Sequence, residues 1–233
     1  MIKKYDFSST VSLRNLMVDV LCGDIVILKD ALEPGLIRQA VAKCHSWTNS
    51  TAESKNLPNL GGVSHSKSFL PARSVNRYIF NSLTFSMGAE KVMSAVPEVI
   101  PIFDLLLDVY NRLFHSEYNL FESYSGCRFY PQVIQYPRGG GFFSEHFHSI
   151  LPQRIGLILA GSEYGKDYFS GGGRFRAPNG SWLETEGQHQ IGDITLFRYD
   201  IGHDITPVDS DLDLDWTKAD GRWTFILPLK PLK

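Results

Sequence analysis

The sequence predicts a single-domain α+β fold in which N-terminal helices pack on a C-terminal jelly roll or sandwich. Its 233 residues suit one domain. Before about residue 125 the hydrophobic residues recur mostly at helical spacing, and after it they follow a β pattern with glycine-rich turns and no alternating helices. Helices first and strands second favours helices covering one sheet. We therefore divide the chain into a helical layer, residues 1–125, and a β core, residues 126–233.

The composition excludes several classes of protein. With 43% hydrophobic and 21% charged residues, the chain is globular and long enough to bury a core. A net charge of −2 offers no basic excess for nucleic acid, and no run of about 18 apolar residues predicts a membrane span or an export signal. Three cysteines without CxxC spacing predict neither a disulfide framework nor a zinc knuckle. We expect a cytoplasmic protein with no nucleic-acid or membrane partner.

The first predicted elements are a short helix and a strand. Five hydrophobic residues lie at the i, i+3, i+4, i+7, i+8 spacing of one helix face, and Ser9 or Thr10 is expected to cap that helix. The five are Leu13, Leu16, Met17, Val20 and Leu21. Asp24–Lys29 is a β-branched run between turn residues, which predicts a strand.

Two further helices and a long loop complete the predicted N-terminal layer. Pro34 opens the second helix, because proline is tolerated in a first turn, and the third helix runs from about Glu98 to Phe114. Between them, Thr48–Asn76 is polar and rich in Ser, Asn, Gly and Pro. A loop of that length is either a functional lid or disordered, and both readings stay open.

Seven strands are predicted after residue 125, separated by turns that contain glycine or proline. They are Arg128–Tyr136, Phe142–Ser149, Arg154–Ala160, Arg174–Ala177, Gln190–Arg198, Asp204–Val208 and Arg222–Leu229. The glycine runs at 139–141 and 171–173 are interpreted as turns without chemistry of their own. Neither is a phosphate loop, because no GK[ST] follows.

Three histidines form a candidate metal site. His146 and His148 flank Phe147 in a predicted strand, so their imidazoles share a face, and His203 begins another strand 55 residues later. Such a trio can supply one side of a coordination sphere and leave the other positions open. Two histidines separated by one residue also occur by chance as exposed or hydrogen-bonded residues, so both readings stay open here.

Six short motifs follow one another over about residues 128–230. They are Tyr136 before the Gly139–Gly141 turn, His146-Phe-His148, Gly171–Gly173 followed by Arg174 and Phe175, Gly192-Asp193 with Phe197, His203 with Pro207-Val208, and Arg222-Trp-Thr224. None is specific alone. In this order, the sequence resembles the iron(II)/2-oxoglutarate-dependent dioxygenases, within their prolyl-hydroxylase-like branch.

The resemblance implies a double-stranded β-helix, a form of jelly roll, with a metal at its mouth. His146 and His203 match the two histidine ligands of the family. Arg222 would hold the distal carboxylate of 2-oxoglutarate in a bidentate pair, with Thr224 and Tyr136 helping to bind it. Without the motifs, a surface ion pair between Arg222 and the acidic run 209–215 would be the better interpretation of Arg222.

The implied activity is a non-haem iron, 2-oxoglutarate-dependent oxygenase that uses O2 to hydroxylate a C–H bond and releases succinate and CO2. Its substrate would be a small molecule, an amino acid or a peptide. No catalytic residue beyond the metal ligands is assigned.

The chain departs from the family pattern at one position, where His148 replaces the usual carboxylate. Three neutral ligands suit zinc, copper and nickel at least as well as iron. Glu145 and Asp204 cannot easily substitute, because strand neighbours of a ligand point away from it. We favour His148 as the third ligand; a His148 turned away from an open site and a wrong register of the motif match are the alternatives.

Two other functions remain open. Gly140 and the H-x-H pair also resemble the first motif of cupins, metal-dependent jelly rolls that need no 2-oxoglutarate; the residue nearest to their usual glutamate is Gln153. The Arg222-x-Thr224 pair favours the oxygenase instead. A non-catalytic binding module that has lost its carboxylate ligand is the third reading, and Arg222 and Tyr136 argue against it.

Overall fold

A computed structural model describes residues 1–8, 13–50, 63–69, 78–85 and 96–232. The helices are α1 (Leu13–Leu21), α2 (Pro34–Ser50) and α3 (Ile100–Phe114), and a 3-10 turn (Pro97–Val99) precedes the last. The strands are β1 (Ile2–Asp6), β2 (Ile25–Lys29), β3 (Val63–Phe69), β4 (Tyr78–Phe85), β5 (Ser123–Tyr124), β6 (Cys127–Phe129), β7 (Gln132–Tyr136), β8 (Gly141–His146), β9 (Ile155–Ala160), β10 (Gly172–Arg176), β11 (Trp182–Glu184), β12 (Ile194–Arg198), β13 (His203–Val208), β14 (Arg222–Ile226) and β15 (Leu229–Pro231). No helix in these ranges is long and apolar enough to cross a membrane.

The strands form a jelly-roll-like fold. Twelve of them join in the order β1-β2-β12-β9-β14-β7-β4-β8-β13-β10-β11, with β3 paired to β4. Strand β1 runs parallel to β2, and the other neighbouring strands in this order pair antiparallel, as do β3 and β4. Strand β4 contacts both β7 and β8 and so links the two halves of the sheet. A separate three-stranded sheet has the order β15-β6-β5.

The helices cover one face of the sheet, as the sequence predicts. Apolar side chains of all three helices share one buried cluster with strands β2, β9, β12 and β14, and the rings of Phe103 and Phe225 lie 6.1 Å apart. Along β14, residues alternate between the two faces. Phe225 packs against the helices, while Arg222, Thr224 and Ile226 point into a cavity on the opposite face.

The N-terminal part contains more β structure than the sequence predicts. Five strands, β1 to β5, lie before residue 125, where the sequence predicts only one. Strand β3 lies inside the predicted loop 48–76, and α2 extends to Ser50; residues 51–62 and 70–77 lie outside the described residues, as do Ser9 and Thr10. Strand β4 was not predicted; its neighbouring residues Ser82 and Leu83 point to opposite faces and are both buried, so the strand lacks the alternation of a half-buried strand.

Two predicted C-terminal strands are each interrupted at a proline. The predicted strand 128–136 is divided into β6 and β7 around Pro131, which lacks the N–H that a continuous ladder needs. The predicted strand 222–229 is divided at Pro228 into β14 and β15. Strands β5 and β11, of two and three residues, were not predicted because such short segments carry no periodicity.

Candidate metal centre and its cavity

Three imidazoles converge at one end of the cavity. His146 ends β8, and His203 begins β13 directly opposite it in the antiparallel register. The rings of His146 and His203 lie 4.2 Å apart, and His148 lies 5.0 Å from the first and 5.2 Å from the second, centre to centre. One nitrogen from each ring lies within 4.8 Å of the others. The structure therefore brings the three predicted metal residues together in a group that could hold a metal ion.

His148 reaches this group differently from the prediction. The sequence placed it on the same strand as His146, but β8 ends at His146 because its partner β13 begins at His203 and offers no residue beyond. Instead, the backbone N–H of His148 donates to the Tyr199 carbonyl at 3.3 Å, and its ring stacks on the Tyr199 ring at 4.3 Å. Tyr199 thus positions His148, and sequence analysis missed it.

Hydrogen bonds fix the tautomer of two of the rings. Nδ1 of His146 lies 2.9 Å from the Ser144 carbonyl oxygen, and Nδ1 of His203 lies 2.8 Å from that of Ile201. A carbonyl oxygen only accepts, so Nδ1 carries the proton in both rings and Nε2 keeps its lone pair. This is the arrangement in which protein histidines ligate metals.

Burial keeps all three imidazoles neutral. Desolvation, together with the neighbouring His146, lowers the pKa of His203 to about 3 and that of His148 to about 4. The pKa of His146 is also lowered, chiefly by burial. Neutral imidazoles need not release a proton before they bind a cation, so near pH 7 the group is ready to bind a metal.

The carboxylates that adjoin the histidines point elsewhere. Glu145 pairs with Arg176 (Nε to Oε1, 2.9 Å), and Asp204 pairs with Arg174 through two bonds of 3.0 and 2.6 Å. Within the described ranges, no carboxylate joins the three imidazoles. Three neutral nitrogen donors fit a divalent transition metal, and they fit zinc, copper and nickel as readily as iron.

The cavity beside the imidazoles has a volume of about 460 Å³. Tyr136, Arg222 and Thr224, to which the family resemblance gives the binding of 2-oxoglutarate, line it together with the three histidines. Arg222 and Tyr136 lie opposite each other on β14 and β7. Burial raises the pKa of Tyr136 to about 12, which keeps its hydroxyl protonated and able to donate a hydrogen bond.

Arg222 is buried and forms an ion pair, but its partner lies outside the acidic run 209–215. Only 4% of Arg222 is exposed, and its Nε donates to Oε1 of Glu186 at 2.8 Å. The alternative, a surface pair with the acidic run 209–215, is wrong, because Asp209 pairs with Arg138 at 2.6 Å instead. Burial alone would lower the pKa of Arg222, but the Glu186 carboxylate raises it overall, so the guanidinium stays charged.

Glu186 is held by a set of donors that sequence analysis missed. The backbone N–H of Gly173 donates to Oε1 at 2.6 Å, and the Tyr168 hydroxyl donates to Oε2 through a short hydrogen bond. Burial opposes the charge on Glu186, but Arg222 and these donors outweigh it and leave its pKa below the ordinary value.

The glycine run 171–173 has a role beyond the predicted turn. Gly172 and Gly173 belong to β10, and a Cβ built on Gly172 would lie 2.3 Å from the Glu186 side chain. The absence of side chains at this point allows Glu186 to lie against the strand.

Gln153, the candidate for the cupin glutamate, serves the backbone. Its Nε2 donates to the carbonyls of Ile155 and Leu227, and its Oε1 accepts from the N–H of Leu229 at 2.8 Å. Both ends of the amide are therefore bonded to backbone atoms.

Solved structures share this fold. A prolyl-4-hydroxylase from Pseudomonas putida is similar with a TM-score of 0.56 and 15% identity, covering 95% of this chain and 100% of that one. The non-heme alpha-ketoglutarate-dependent epimerase SnoN from nogalamycin biosynthesis gives 0.57 and 11%, covering 96% and 84%. A prolyl hydroxylase from Trichoplax adhaerens, in complex with a peptide fragment of the hypoxia inducible factor oxygen degradation domain, gives 0.56 and 14%, covering 96% and 94%. No protein-family model and no curated protein matches the chain. At such identities the likeness concerns the fold.

Proposed function

We propose that the protein is a non-haem iron(II), 2-oxoglutarate-dependent oxygenase whose strands form a double-stranded β-helix within one domain. The observation that carries the proposal is a single cavity lined at one place by three neutral imidazoles and at another by a buried, charged arginine. A cavity that offers both a metal site and a cation able to bind a carboxylate suits a ligand that chelates the metal at one end and carries a carboxylate at the other.

His146, His148 and His203 would hold the metal on one side through Nε2, or, for His148, through either ring nitrogen. The bound iron would supply the redox chemistry that activates O2 and drives decarboxylation of 2-oxoglutarate to succinate and CO2. The chain's own contribution at this end is orientation, because the Ser144 and Ile201 carbonyls fix two rings and Tyr199 stacks on the third.

At the other end, Arg222 would bind the distal carboxylate of 2-oxoglutarate, and the hydroxyls of Thr224 and Tyr136 would donate hydrogen bonds to it. All three line the cavity, and Thr224 lies two residues from Arg222 on the same face of β14. A charge-assisted bond from a buried guanidinium is stronger than a neutral one, so Arg222 would contribute most to binding.

The substrate would be a small molecule, an amino acid or a peptide whose C–H bond is hydroxylated. Two solved structures of the same fold are prolyl hydroxylases, one of them with a bound peptide, which supports this range. A cupin-like enzyme is less well supported, because Gln153 is bound to backbone atoms and because a buried arginine in the cavity has no role in that reading.

An anaerobic titration tests the proposal. Purified protein is loaded with iron(II) and titrated with 2-oxoglutarate while the weak visible charge-transfer band of the chelate is followed. We expect the band in the wild type, and at least about tenfold weaker binding in Arg222→Lys, which keeps a cation beside Glu186 but loses the planar fork. Arg198→Lys is the matched control, because Arg198 pairs with Asp200 outside the cavity.

Two results would contradict the proposal: no band in the wild type, or a band that forms equally well in Arg222→Ala. Admission of air should then release succinate and CO2 in equal amounts. A complex that forms the band but never releases succinate would identify a binding module.

A further inference from the structure

The cation of the cavity already has a carboxylate partner. Glu186 bonds to Nε of Arg222, and its side chain is only 8% exposed, next to 5% for that of Arg222. Gly173 and Tyr168 donate to the same carboxylate. Because these bonds hold Glu186 in place, we expect it to stay on Arg222 when a ligand binds. A ligand carboxylate that binds Arg222 must therefore share the guanidinium with Glu186.

Sharing restricts the geometry of binding. An arginine presents five N–H donors, and a carboxylate can dock against the Nε edge or against the two terminal nitrogens. Glu186 occupies Nε, the Tyr168 hydroxyl also hydrogen-bonds the guanidinium, and Nη2 lies 3.2 Å from where a Cβ on Gly173 would be. A ligand is therefore left with the terminal nitrogens, which it approaches beside Tyr168.

Sharing also weakens binding. Two carboxylates on one buried guanidinium repel each other, because a like charge nearby disfavours the charged form of a carboxyl group. An effect of one pKa unit corresponds to about tenfold in an equilibrium constant. Arg222 without Glu186 would attract a dianion more strongly, but it would carry an unpaired charge whenever the cavity held no ligand.

We propose that Glu186 is a positioning and specificity-determining residue that orients Arg222 and lowers the affinity of the cavity for the distal carboxylate of a 2-oxo diacid. This inference rests on the proposed function. It accounts for the donors around Glu186 and for the glycines of β10, none of which the metal centre uses.

The test measures ligand binding rather than turnover. Nickel(II)-loaded protein is titrated by calorimetry with 2-oxoglutarate and with 2-oxopentanoate, which has the same carbon chain and a methyl group in place of the distal carboxylate. Glu186→Gln keeps an oxygen that accepts from Arg222 and Gly173 and removes the charge, while its amide NH2 faces Tyr168, whose hydroxyl then accepts instead of donating. We expect it to bind 2-oxoglutarate about tenfold more tightly and 2-oxopentanoate unchanged.

Three further variants make the result specific. Glu186→Asp keeps the charge and should bind 2-oxoglutarate within about twofold of the wild type, since the shorter side chain alters the bond to Nε but not the repulsion. Glu163→Gln removes a charge from a glutamate that pairs with Arg38 and Lys166, away from the cavity, and should change nothing. Glu186→Ser, also neutral, should act like the glutamine variant and replaces it if that variant does not fold.

The outcomes separate the two proposals. Wild type that binds 2-oxoglutarate, together with a neutral Glu186 variant of equal or lower affinity for it, overturns this inference and leaves the proposed function standing. An equal gain for both ligands also overturns it, because the effect would not concern the distal carboxylate. Wild type that binds no 2-oxoglutarate overturns the proposed function and this inference with it.

Discussion

The two ends of the cavity differ in how they handle charge. At the metal end, three imidazoles are kept neutral by burial, and the adjoining carboxylates of Glu145 and Asp204 pair with arginines elsewhere. At the arginine end, one guanidinium is kept charged by a carboxylate of its own, Glu186. The imidazole end thus has neutral side chains without a counter-ion, and the arginine end has a cation that is paired with a carboxylate.

Under the proposed function, the comparison points to a displaced charge. In the family that the sequence resembles, a carboxylate ligates the metal, whereas here His148 stands at that position and Glu186 pairs with Arg222. With a divalent metal bound, the total charge of the two ends would be the same in both arrangements. The cavity would then suit the same dianion, with its own charge distributed differently.

The largest expected effect concerns the metal end itself. If His148 is one of three ligands, as proposed, His148→Ala should weaken nickel(II) binding by roughly 100-fold or more, since even residues that only orient a ligand contribute about 10–100-fold. His189→Ala is the matched control, because His189 is buried but bonds to the Thr185 carbonyl through Nδ1 and is not part of the three-imidazole group. Calorimetry and elemental analysis measure the difference. Equal metal content in the two variants would show that His148 is not a ligand.

Moving a carboxylate back to the metal sharpens the comparison. His148→Asp should lower the ratio of nickel(II) to manganese(II) affinity by about tenfold, because oxygen ligands favour the harder ion and imidazole favours nickel. His148→Asn, of the same size but neutral, is the control and should weaken both metals alike. An unchanged ratio in the aspartate variant would mean that position 148 does not contact the ion.

The metal end should also make the metal-free protein sensitive to acid. The pKa of His148 is about 4 and that of His203 about 3 in the folded protein, against 6.5 for an ordinary histidine. As the pH falls below 6.5, the two histidines become protonated in the unfolded chain before they do in the folded protein. Their contribution to the free energy of unfolding is therefore fully present above pH 6.5 and is lost progressively towards pH 4. Tm measured at pH 8 and pH 5 should fall less in His148→Gln than in the wild type. An equal fall in both would contradict the buried, neutral His148.

The smallest expected effect lies at the arginine end. Thr224→Val keeps the shape of the side chain and removes one hydroxyl, so binding of 2-oxoglutarate should weaken about fivefold, the effect of one neutral hydrogen bond of about 1 kcal/mol. Thr195→Val, on β12 and outside the cavity lining, should leave it unchanged. A loss as large as that in Arg222→Lys would mean that Thr224 does more than donate one bond.

The sequence predicted what local patterns encode. Apolar periodicity located the three helices and most of the C-terminal strands, and the H-x-H pair with His203 identified the imidazole group. The reason given for His148 was wrong, because strand alternation says nothing about where the partner strand begins, and only the register of β8 with β13 shows that β8 ends at His146.

What the sequence could not predict depends on distant contacts. Glu186 lies 36 residues from Arg222, in a segment without a motif of its own, so no local pattern pairs them. One signal was available in Gly171–Gly173, since a run of glycines allows another group to approach the backbone closely. It was interpreted as a turn alone. Tyr199, which orients His148, gave no signal before the fold was known.

A crystal structure of the protein with nickel(II) and 2-oxoglutarate, grown without oxygen, tests the central claim most directly. The account predicts one metal ion about 2.1 Å from a ring nitrogen of each of His146, His148 and His203. It also predicts the distal carboxylate of the chelated diacid on the terminal nitrogens of Arg222, with Glu186 still on Nε. A metal that lacks one of the three rings, or a diacid bound away from Arg222, would contradict it.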